Sequence, residues 1–252
     1  MERERFDDVV AEWLTYQASH MGRLRTALFW HGVQSHLPSR PCDVLDLGGG
    51  SGELAEIMAR AGHRVTLLDS AQPMLAAAKA RMPTLNCVLA EVGARHAAPL
   101  LAQSFDVITC HSVIEFVENP ATLIAQCHEW LRPGGVFSLG FGNQRNAVLQ
   151  AAIVHKDLTR AAHDLHHLPQ IINRLGKPLR LLEPDIVIGW LREGGFEVVA
   201  ENGIRTMADL LDKAVIEDMG NFDALLDLEA QMMSMPAYAR IARFTQFVSR
   251  KV

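Results

Sequence analysis

The chain has 252 residues, of which 49% are hydrophobic and 21% are charged. This composition is typical of a globular protein with a sizeable core, and it excludes a small module, a disordered chain and a fibrous chain. The 24 Lys and Arg against 29 Asp and Glu give a formal net charge of -5. A polyanionic partner would therefore have to bind a local basic patch.

Cysteine usage and the first residues predict the compartment. The four cysteines contain no C-x-x-C pair, which favours reduced thiols over a disulfide framework or a zinc site. The opening sequence MERERFDDVV is charged where a secretion signal would be apolar, and no apolar run approaches the length that crosses a bilayer. We predict a soluble, cytoplasmic protein with no membrane partner.

The first predicted elements are helices. Residues 2–37 have the spacing of two helices, and segment 1–37 is predicted to form a lid over a site. Short apolar runs then alternate with helical patterns, which predicts an α/β fold with a doubly wound, Rossmann-like parallel sheet. The predicted strands are Asp43 to Leu47, Arg64 to Leu68, Asn86 to Ala90, Phe105 to Cys110 and Val136 to Gly140.

The helix before the fifth strand has clear sequence signals at both ends. Asn119 can cap it, Pro120 suits the first turn, and Pro133-Gly134-Gly135 stops it. Beyond Gly142, residues 143–183 are predicted to be a mostly helical insertion on the substrate side of a single domain, 1–252.

The last part of the chain is predicted to complete the sheet. Pro184 to Arg192 has the pattern of a helix, which Gly194-Gly195 ends, and Phe196 to Ala200 has the pattern of a strand. Phe244 to Val248 is predicted to be the closing strand, antiparallel at the sheet edge.

A run of glycines, Gly48-Gly49-Gly50-Ser51-Gly52, follows the first predicted strand and opens a helical pattern. Without Cβ atoms the backbone can approach a ligand, and the helix amino end offers free N–H groups. We predict a nucleotide-like ligand here, against the alternative of a glycine turn that binds nothing. Residues 50–55 also fit the dinucleotide pattern G-x-G-x-x-A, and Asp69 could bind a ribose, which NAD and S-adenosylmethionine share.

Three further motifs bear on that choice. Asp46 precedes the glycines by two residues, Ser104-Phe105-Asp106-Val107 opens the fourth strand, and Leu131-Arg132-Pro133-Gly134-Gly135 precedes the fifth. Over residues 42–140, the combination resembles the class I S-adenosylmethionine-dependent methyltransferases. The resemblance implies that S-adenosylmethionine is the cofactor.

The flanking sequences resemble one family within that class, the tRNA 5-carboxymethoxyuridine methyltransferases. This likeness implies a tRNA partner, in which the carboxylate of a modified wobble uridine becomes a methyl ester. The motifs that carry it include Phe6-Asp7-Asp8, Leu24-Arg25-x-Ala27-x-x-Trp30, His111-Ser112-Val113-Ile114-Glu115-Phe116, Phe141-Gly142-Asn143 and Gly203-Ile204-Arg205.

These resemblances imply which residues contact the cofactor. The glycines would line its amino-acid portion, Asp69 would bind the ribose, Arg25 would contact the carboxylate and His111 the adenosine region. The implied set is Arg25, Asp46, Gly48, Gly49, Gly50, Asp69, Ser70, Arg95 and His111.

One motif departs from the family beside the adenine. Where many members have Gly-Asp-Ala, this chain reads Gly93-Ala94-Arg95-His96, so the backbone or His96 would replace the missing acid. Arg95 is a predicted cofactor contact or, alternatively, an exposed loop residue.

The substrate side offers three candidates for handling a carboxylate. An arginine fork suits a planar carboxylate, and Arg205 and Arg243 match arginines of the resembled family, although both could equally be surface charges. Asn143 follows the fifth strand, at the edge where doubly wound folds bind ligands, or else caps a helix. These three residues are the predicted catalytic set.

Two residues after the fourth strand have open alternatives. His111 could contact the cofactor, act as a general base or be an ordinary loop histidine. Glu115 could be the base for a hydroxyl substrate or a solvated helix residue.

The predicted insertion is rich in histidine and in basic residues. His163 and His167 share a helical face, but no third ligand completes a recognisable spacing, so we predict a solvated face and no metal. The basic residues could contact phosphates with a marked salt dependence. They are Lys156, Arg160, Arg174, Lys177 and Arg180.

Four functions remain in view from the sequence. The leading hypothesis is an S-adenosylmethionine-dependent methyltransferase acting on the carboxylate of the modified wobble uridine of tRNA. A methyltransferase of a small-molecule carboxylate or hydroxyl is the second. An NAD-binding oxidoreductase and a non-catalytic cofactor sensor are the other two.

Overall fold

The computed structural model describes residues 10–92, 104–167, 171–172 and 178–252. The helices are α1 Val10–Ala18, α2 His20–Gln34, α3 Glu53–Arg60, α4 Gln72–Arg81, α5 Pro120–Trp130, α6 Asn146–Leu149, α7 Leu158–Asp164, α8 Pro184–Glu193, α9 Lys213–Glu217, α10 Phe222–Met232 and α11 Pro236–Ala239. The strands are β1 Asp43–Leu47, β2 Arg64–Asp69, β3 Asn86–Leu89, β4 Phe105–His111, β5 Leu131–Gly142, β6 Ile171–Ile172, β7 Pro178–Leu179, β8 Phe196–Ile204 and β9 Phe244–Lys251.

Seven strands form one sheet in the order β3-β2-β1-β4-β5-β9-β8. The first five pair in parallel, and β9 is antiparallel to both of its neighbours. This confirms the predicted doubly wound α/β fold. Because parallel strands end at one edge, the loops after β1, β2 and β4 converge there.

Both faces of the sheet are covered by helices. In β1, Val44 packs on one face with Met58 of α3, whereas Leu45 packs on the other with Ile124 of α5. This alternation follows from the two-residue period of a strand. The predicted start of α5 is confirmed, since the Asn119 side chain accepts a hydrogen bond from the Thr122 N–H. Its end is corrected: the helix stops at Trp130, and Pro133-Gly134-Gly135 lies within β5, which begins at Leu131.

The closing strand was expected at the sheet edge, and the structure corrects this. β9 lies between β5 and β8, and β8 forms the edge. β8 is also longer than predicted, because it runs to Ile204 and pairs along its length with β9.

The insertion is less helical than expected. A π-helix, Gln150–Val154, separates α6 from α7, and the short strands β6 and β7 then pair antiparallel. No long apolar pattern predicts these pieces, because each is shorter than two helical turns or only two residues long.

The leading segment forms two helices in its described part, α1 and α2. Ser19 ends one and caps the next, accepting a hydrogen bond from the Gly22 N–H. Leu24, Leu28 and Phe29 of α2 are buried in a cluster with Ile204, so α2 is fixed beside the ends of β8 and β9.

No helix in the described part of the chain is both long enough and apolar enough to cross a membrane.

Candidate active site

A cavity of about 1970 Å³ opens at the carboxyl edge of the parallel strands. Its walls come from the loops after β1, β2 and β4, from α1 and α2, and from the residues around the ends of β8 and β9. The volume exceeds that of ordinary small-molecule sites, so there is room for more than one ligand group.

The glycine loop forms one wall of this cavity. Gly48 and Gly50 have φ of 69° and 56°, in the left-handed region that favours glycine. A Cβ on Gly48 would lie 2.4 Å from a methyl carbon of Val113, whereas one on Gly50 would have only Trp13 Nε1, at 3.6 Å, as a neighbour. Gly48 therefore packs against protein, and Gly50 faces open space.

Asp46 lies below the glycine loop, almost fully buried. Its Oδ1 accepts a hydrogen bond from Thr109 Oγ1 at 2.7 Å, and its Oδ2 has no partner among the described residues. Burial raises the pKa of Asp46 to about 7, against the opposing effect of the Thr109 hydrogen bond. With this pKa, the carboxyl is partly protonated near neutral pH, and a nearby cationic ligand would favour its ionised form.

Asp69 ends β2 and closes the glycine loop from the side. Its two carboxylate oxygens accept hydrogen bonds from the Gly50 and Ala71 N–H groups, each at 2.9 Å. Ser70, the next residue, also lines the cavity. The acid thus supports the loop and faces the position at which a ligand would meet it.

Arg25 enters the cavity from α2 and is 8% exposed. Its guanidinium carbon lies 5.3 to 5.9 Å from the ring centroids of Trp13, Tyr16, Phe29 and Phe244. Its Nε is buried without a partner, and no carboxylate of the described residues forms a salt bridge with it. An aromatic surround of this kind holds a charged guanidinium in place for an anionic group.

His111 ends β4, and its ring stacks on Phe29 at 4.2 Å between centroids. Its Nε2 is hydrogen-bonded to Ser138 Oγ at 2.8 Å, and its Nδ1 is buried with no partner among the described residues. Burial, reinforced by the charge of Arg25, lowers the pKa of His111 to about 3. The ring is therefore neutral at physiological pH and is a poor candidate for a base that must hold a proton.

Comparisons with known proteins identify the family. Residues 45–139 match the family model described as a methyltransferase domain. The tRNA 5-carboxymethoxyuridine methyltransferase of Escherichia coli K12 is 28% identical, over 100% of this chain and 97% of that protein. The chain therefore carries a methyltransferase domain.

Other relatives match less of the chain or match it in fold alone. A ubiquinone biosynthesis O-methyltransferase of Pseudomonas aeruginosa is 32% identical over 62% of this chain and 64% of that protein. A Thermotoga maritima methyltransferase structure, described as a possible histamine N-methyltransferase, superposes with a TM-score of 0.67 at 15% identity over all of both chains. A Burkholderia thailandensis methyltransferase solved with S-adenosylhomocysteine has a TM-score of 0.57 at 17% identity, over 97% of this chain and 87% of that one.

These likenesses support S-adenosylmethionine as the cofactor, and the dinucleotide alternative is not favoured. The cavity fits the cofactor on its own geometry: a glycine wall open at Gly50, and buried polar atoms on Arg25, Asp46 and His111 that have no partner among the described residues. Buried polar groups without partners are costly, so a ligand that satisfied them would be bound well.

The three residues predicted to be catalytic lie on neighbouring strand ends. The Asn143 N–H donates to the Arg243 carbonyl at 3.1 Å, and the Arg243 N–H donates to the Arg205 carbonyl at 3.0 Å. The side chains of Arg205 and Arg243 line the cavity. The three residues are therefore close together in the fold, but Arg205 and Arg243 line the cavity and Asn143 does not.

Asn143 does not fit the predicted substrate contact. It is fully buried, and its amide donates to the Arg240 and Ala242 carbonyls while its Oδ1 accepts the Arg145 N–H. With these three bonds made, the side chain fixes the turn before β9 instead of lining the cavity. Its bonds hold the backbone that precedes Arg243.

Arg205 is also more constrained than a substrate clamp would be. It is 3% exposed and has φ of 62°. Its Nε donates to Asp209 Oδ2 at 2.8 Å, its Nη2 to Asp209 Oδ1, and its Nη1 to the Tyr16 hydroxyl at 2.6 Å. The fork is already filled by an internal carboxylate, and the surface-charge alternative is wrong as well.

Sequence reasoning missed Trp13 and Tyr16 of α1 as cavity residues. The Trp13 Nε1 is buried without a partner among the described residues. Burial opposes ionisation of Tyr16, but the Arg205 and Arg25 charges outweigh it and lower its pKa. Their three-residue spacing on a helix was the available signal, since it puts both rings on one face.

Four residues that the sequence singled out lie outside the described residues: Arg95, His96, Arg174 and Lys177.

Within the described part of the chain, no group of three His, Cys, Asp or Glu side chains could hold a metal ion. The rings of His163 and His167 do share a face, stacked at 4.3 Å.

Proposed function

We propose that this methyltransferase esterifies the carboxylate of 5-carboxymethoxyuridine at the wobble position of tRNA. The observation that carries the proposal is the extent of the likeness to the Escherichia coli enzyme, which covers the whole chain. The ubiquinone relative is more identical but matches 62% of the chain. The segments outside the methyltransferase domain, from which an acceptor site would be built, are thus shared with the tRNA enzyme.

The chain's own residues suggest how the cofactor is held. Gly48, Gly49 and Gly50 would lie against its amino-acid portion, Arg25 would pair with its carboxylate, and Asp69 would accept hydrogen bonds from the ribose. When bound, S-adenosylmethionine supplies a methyl group on a positively charged sulfur.

The acceptor chemistry needs no general base. A carboxyl group with an ordinary pKa of roughly 4 is ionised at neutral pH, so an oxygen lone pair is available to form the new O–C bond. The electrons of the breaking C–S bond remain on sulfur, and no proton leaves the acceptor. The protein's task is to align oxygen, carbon and sulfur and to exclude water, and orientation can contribute about 7 kcal/mol or more.

Charges at the mouth of the cavity support an RNA substrate in a local way. Lys156 is exposed there, next to the π-helix, and His155 lines the same wall. Arg160 also lines it but is half-buried, with its Nε 3.4 Å from Asp164 Oδ2. They could contact phosphates around a wobble nucleotide, which would make binding salt-dependent. This is consistent with a chain whose overall charge is negative.

The test is methyl transfer to tRNA that carries 5-carboxymethoxyuridine without the ester. We expect purified protein and labelled S-adenosylmethionine to produce a methyl group that mild alkali releases, since esters hydrolyse and N- or C-methyl groups do not. tRNA lacking the carboxymethoxy group is the control. Transfer to the control tRNA, or no transfer to either, would refute the proposed substrate.

A further inference from the structure

The turn that follows β4 holds a carboxyl group that the proposed chemistry does not use. Glu115 lies in the 3-10 helix Ile114–Phe116 and is 7% exposed, although it lines the cavity. Its Oε1 accepts the Gly142 N–H at 2.8 Å. Its Oε2 is buried with no partner among the described residues, so the alternative of a solvated helix residue is wrong.

The same turn carries a second buried polar atom that has no partner among the described residues. Ser112 lines the cavity with φ of 56°, and its Oγ is buried without a partner in the described part of the chain. A left-handed conformation costs a non-glycine residue of order 1 kcal/mol or more, and such strain concentrates at functional sites. Two hydrogen-bonding groups on one strained turn therefore face the cavity with their capacity unused.

The charge state of Glu115 follows from its surroundings. Burial raises its pKa to about 7, against the hydrogen bond from Gly142 and the charge of Arg25. Around it, Cys110 is buried with a pKa well above its ordinary value, and the pKa of His111 is lowered. Other charged groups that line the same cavity include Asp46, Asp69, Glu118, Arg205 and Arg243.

An ionised Glu115 would repel an acceptor carboxylate, whereas a protonated one has a hydrogen to donate. We propose that Glu115, as a carboxylic acid, donates a hydrogen bond from Oε2 to the carboxylate that receives the methyl group, and so selects acceptors bearing that group. The inference rests on the proposed function. It makes Glu115 a substrate-binding residue, which is neither of the two roles that the sequence left open, a base for a hydroxyl substrate and a solvated helix residue.

The step balances without a proton transfer. One acceptor oxygen takes the hydrogen bond, the other oxygen forms the bond to the methyl carbon, and the proton stays on Glu115 throughout. Gly142, which holds Oε1, leaves Oε2 as the oxygen that carries the proton. Methylation removes the acceptor's charge, which weakens the hydrogen bond and favours release of the ester.

The proposal has a pH signature. The protonated form binds the acceptor, so kcat/KM for the acceptor should be level below about pH 7 and fall about tenfold per pH unit above it. A bound acceptor carboxylate disfavours ionisation of Glu115. The fall in kcat should therefore begin at a higher pH than the fall in kcat/KM.

The experiment measures both profiles from about pH 6 to about pH 8.5 with the cofactor saturating and tRNA carrying 5-carboxymethoxyuridine as the acceptor. Glu115→Gln keeps a hydrogen-bond donor that cannot ionise, so we expect near-wild-type kcat/KM below pH 7 and a flat profile. Glu115→Ala should lose about 10- to 100-fold in kcat/KM. Glu118→Gln, the same change at an exposed cavity residue three positions on, should keep the wild-type profile.

Each other outcome counts against the inference in a recognisable way. If Glu115→Gln is inactive while still folded and cofactor-bound, the residue acts as a base. If its profile falls as the wild type's does, Glu115 is only structural. If the wild type esterifies no tRNA at any pH, the proposed function fails first, and the inference falls with it because no acceptor carboxylate reaches Glu115.

Discussion

Arg205 and Asp209 form a buried ion pair across the turn that follows β8, with Nε donating to Oδ2 at 2.8 Å. The side chains are 3% and 13% exposed. The Tyr16 hydroxyl completes the set, so one guanidinium ties the turn to α1. The pair holds together two walls of the cavity that come from opposite ends of the chain.

Arg205→Ala should lower the free energy of unfolding by about 3 to 5 kcal/mol, because it leaves Asp209 and Tyr16 buried without their partner. Urea unfolding of Arg205→Ala, Asp209→Ala and the double variant measures the coupling, which we expect to exceed about 1 kcal/mol. Lys213 and Glu217 form a pair of the same spacing but are 84% and 60% exposed. Their coupling should be about 0.3 to 0.5 kcal/mol; equal couplings for the two pairs would contradict the prediction.

Gly48→Ala tests the packing of the glycine loop. The new Cβ would lie 2.4 Å from Val113, in addition to the strain of a φ of 69°. Gly134 has a similar φ, 72°, and none of the described residues comes within 4 Å of an added Cβ, so Gly134→Ala should cost about 1 kcal/mol from the backbone alone. Gly48→Ala should cost more in thermal stability and should also weaken cofactor binding, which calorimetry measures. If both variants lose the same thermal stability, the glycine loop shifts to relieve the contact with Val113, and the prediction is wrong.

Asp69→Ala should weaken cofactor binding by about 1.5 to 3 kcal/mol, the cost of losing hydrogen bonds to a charged group. The variant also removes the acceptor for the Gly50 and Ala71 N–H groups. Asp69→Asn keeps one carbonyl oxygen, so it should retain part of the affinity. Calorimetric titration with S-adenosylhomocysteine gives both values, and an unchanged affinity in Asp69→Ala would remove the ribose assignment.

The parallel part of the sheet could be predicted because its signals are local. Apolar runs, glycines and the Asn119 cap each sit within a few residues of the element they define, and β1 has the predicted bounds. The place of β9 carries no such signal. Whether a strand lies at an edge depends on whether another strand pairs with its free side, and here β8 does.

The candidate site also contains residues that the sequence could predict and residues whose contacts it could not. The glycine loop and Asp69 belong to one contiguous motif, so sequence placed them at one edge of the sheet. The carbonyls that accept from the Asn143 amide are 97 and 99 residues away, and no sequence pattern indicates them. Arg205 was placed in the cavity correctly, but its pairing with Asp209 depends on the turn conformation that only the structure gives.

Asp46 holds its proton more tightly in the folded protein than in the unfolded chain, so the cofactor-free protein should become less stable as the pH rises. Its pKa is about 7 when folded and roughly 4 when unfolded. Between these values the folded state binds more protons than the unfolded state, so the stability present below about pH 4 is lost as the pH rises through about 7. The loss should be about 2 to 4 kcal/mol. Urea unfolding at several pH values measures how the free energy of unfolding depends on pH. This dependence should be smaller in Asp46→Asn than in the wild type. An equal dependence in both would show that another group is responsible.

Gln17 links the leading helix to the glycine loop, since its Nε2 donates to Glu53 Oε2 at 3.0 Å. Gln17→Ala should release the cofactor faster, because the bond that holds α1 over the loop is gone, and the affinity should fall by about 0.5 to 1.5 kcal/mol. Thr15→Ala is the matched control, as Thr15 is exposed on the same helix, where its hydroxyl donates to the Ala11 carbonyl. Stopped-flow dissociation of S-adenosylhomocysteine compares them. If both variants release it at the wild-type rate, α1 does not act as a lid; if both release it faster by the same factor, the effect lies in the helix and not in the contact with Glu53.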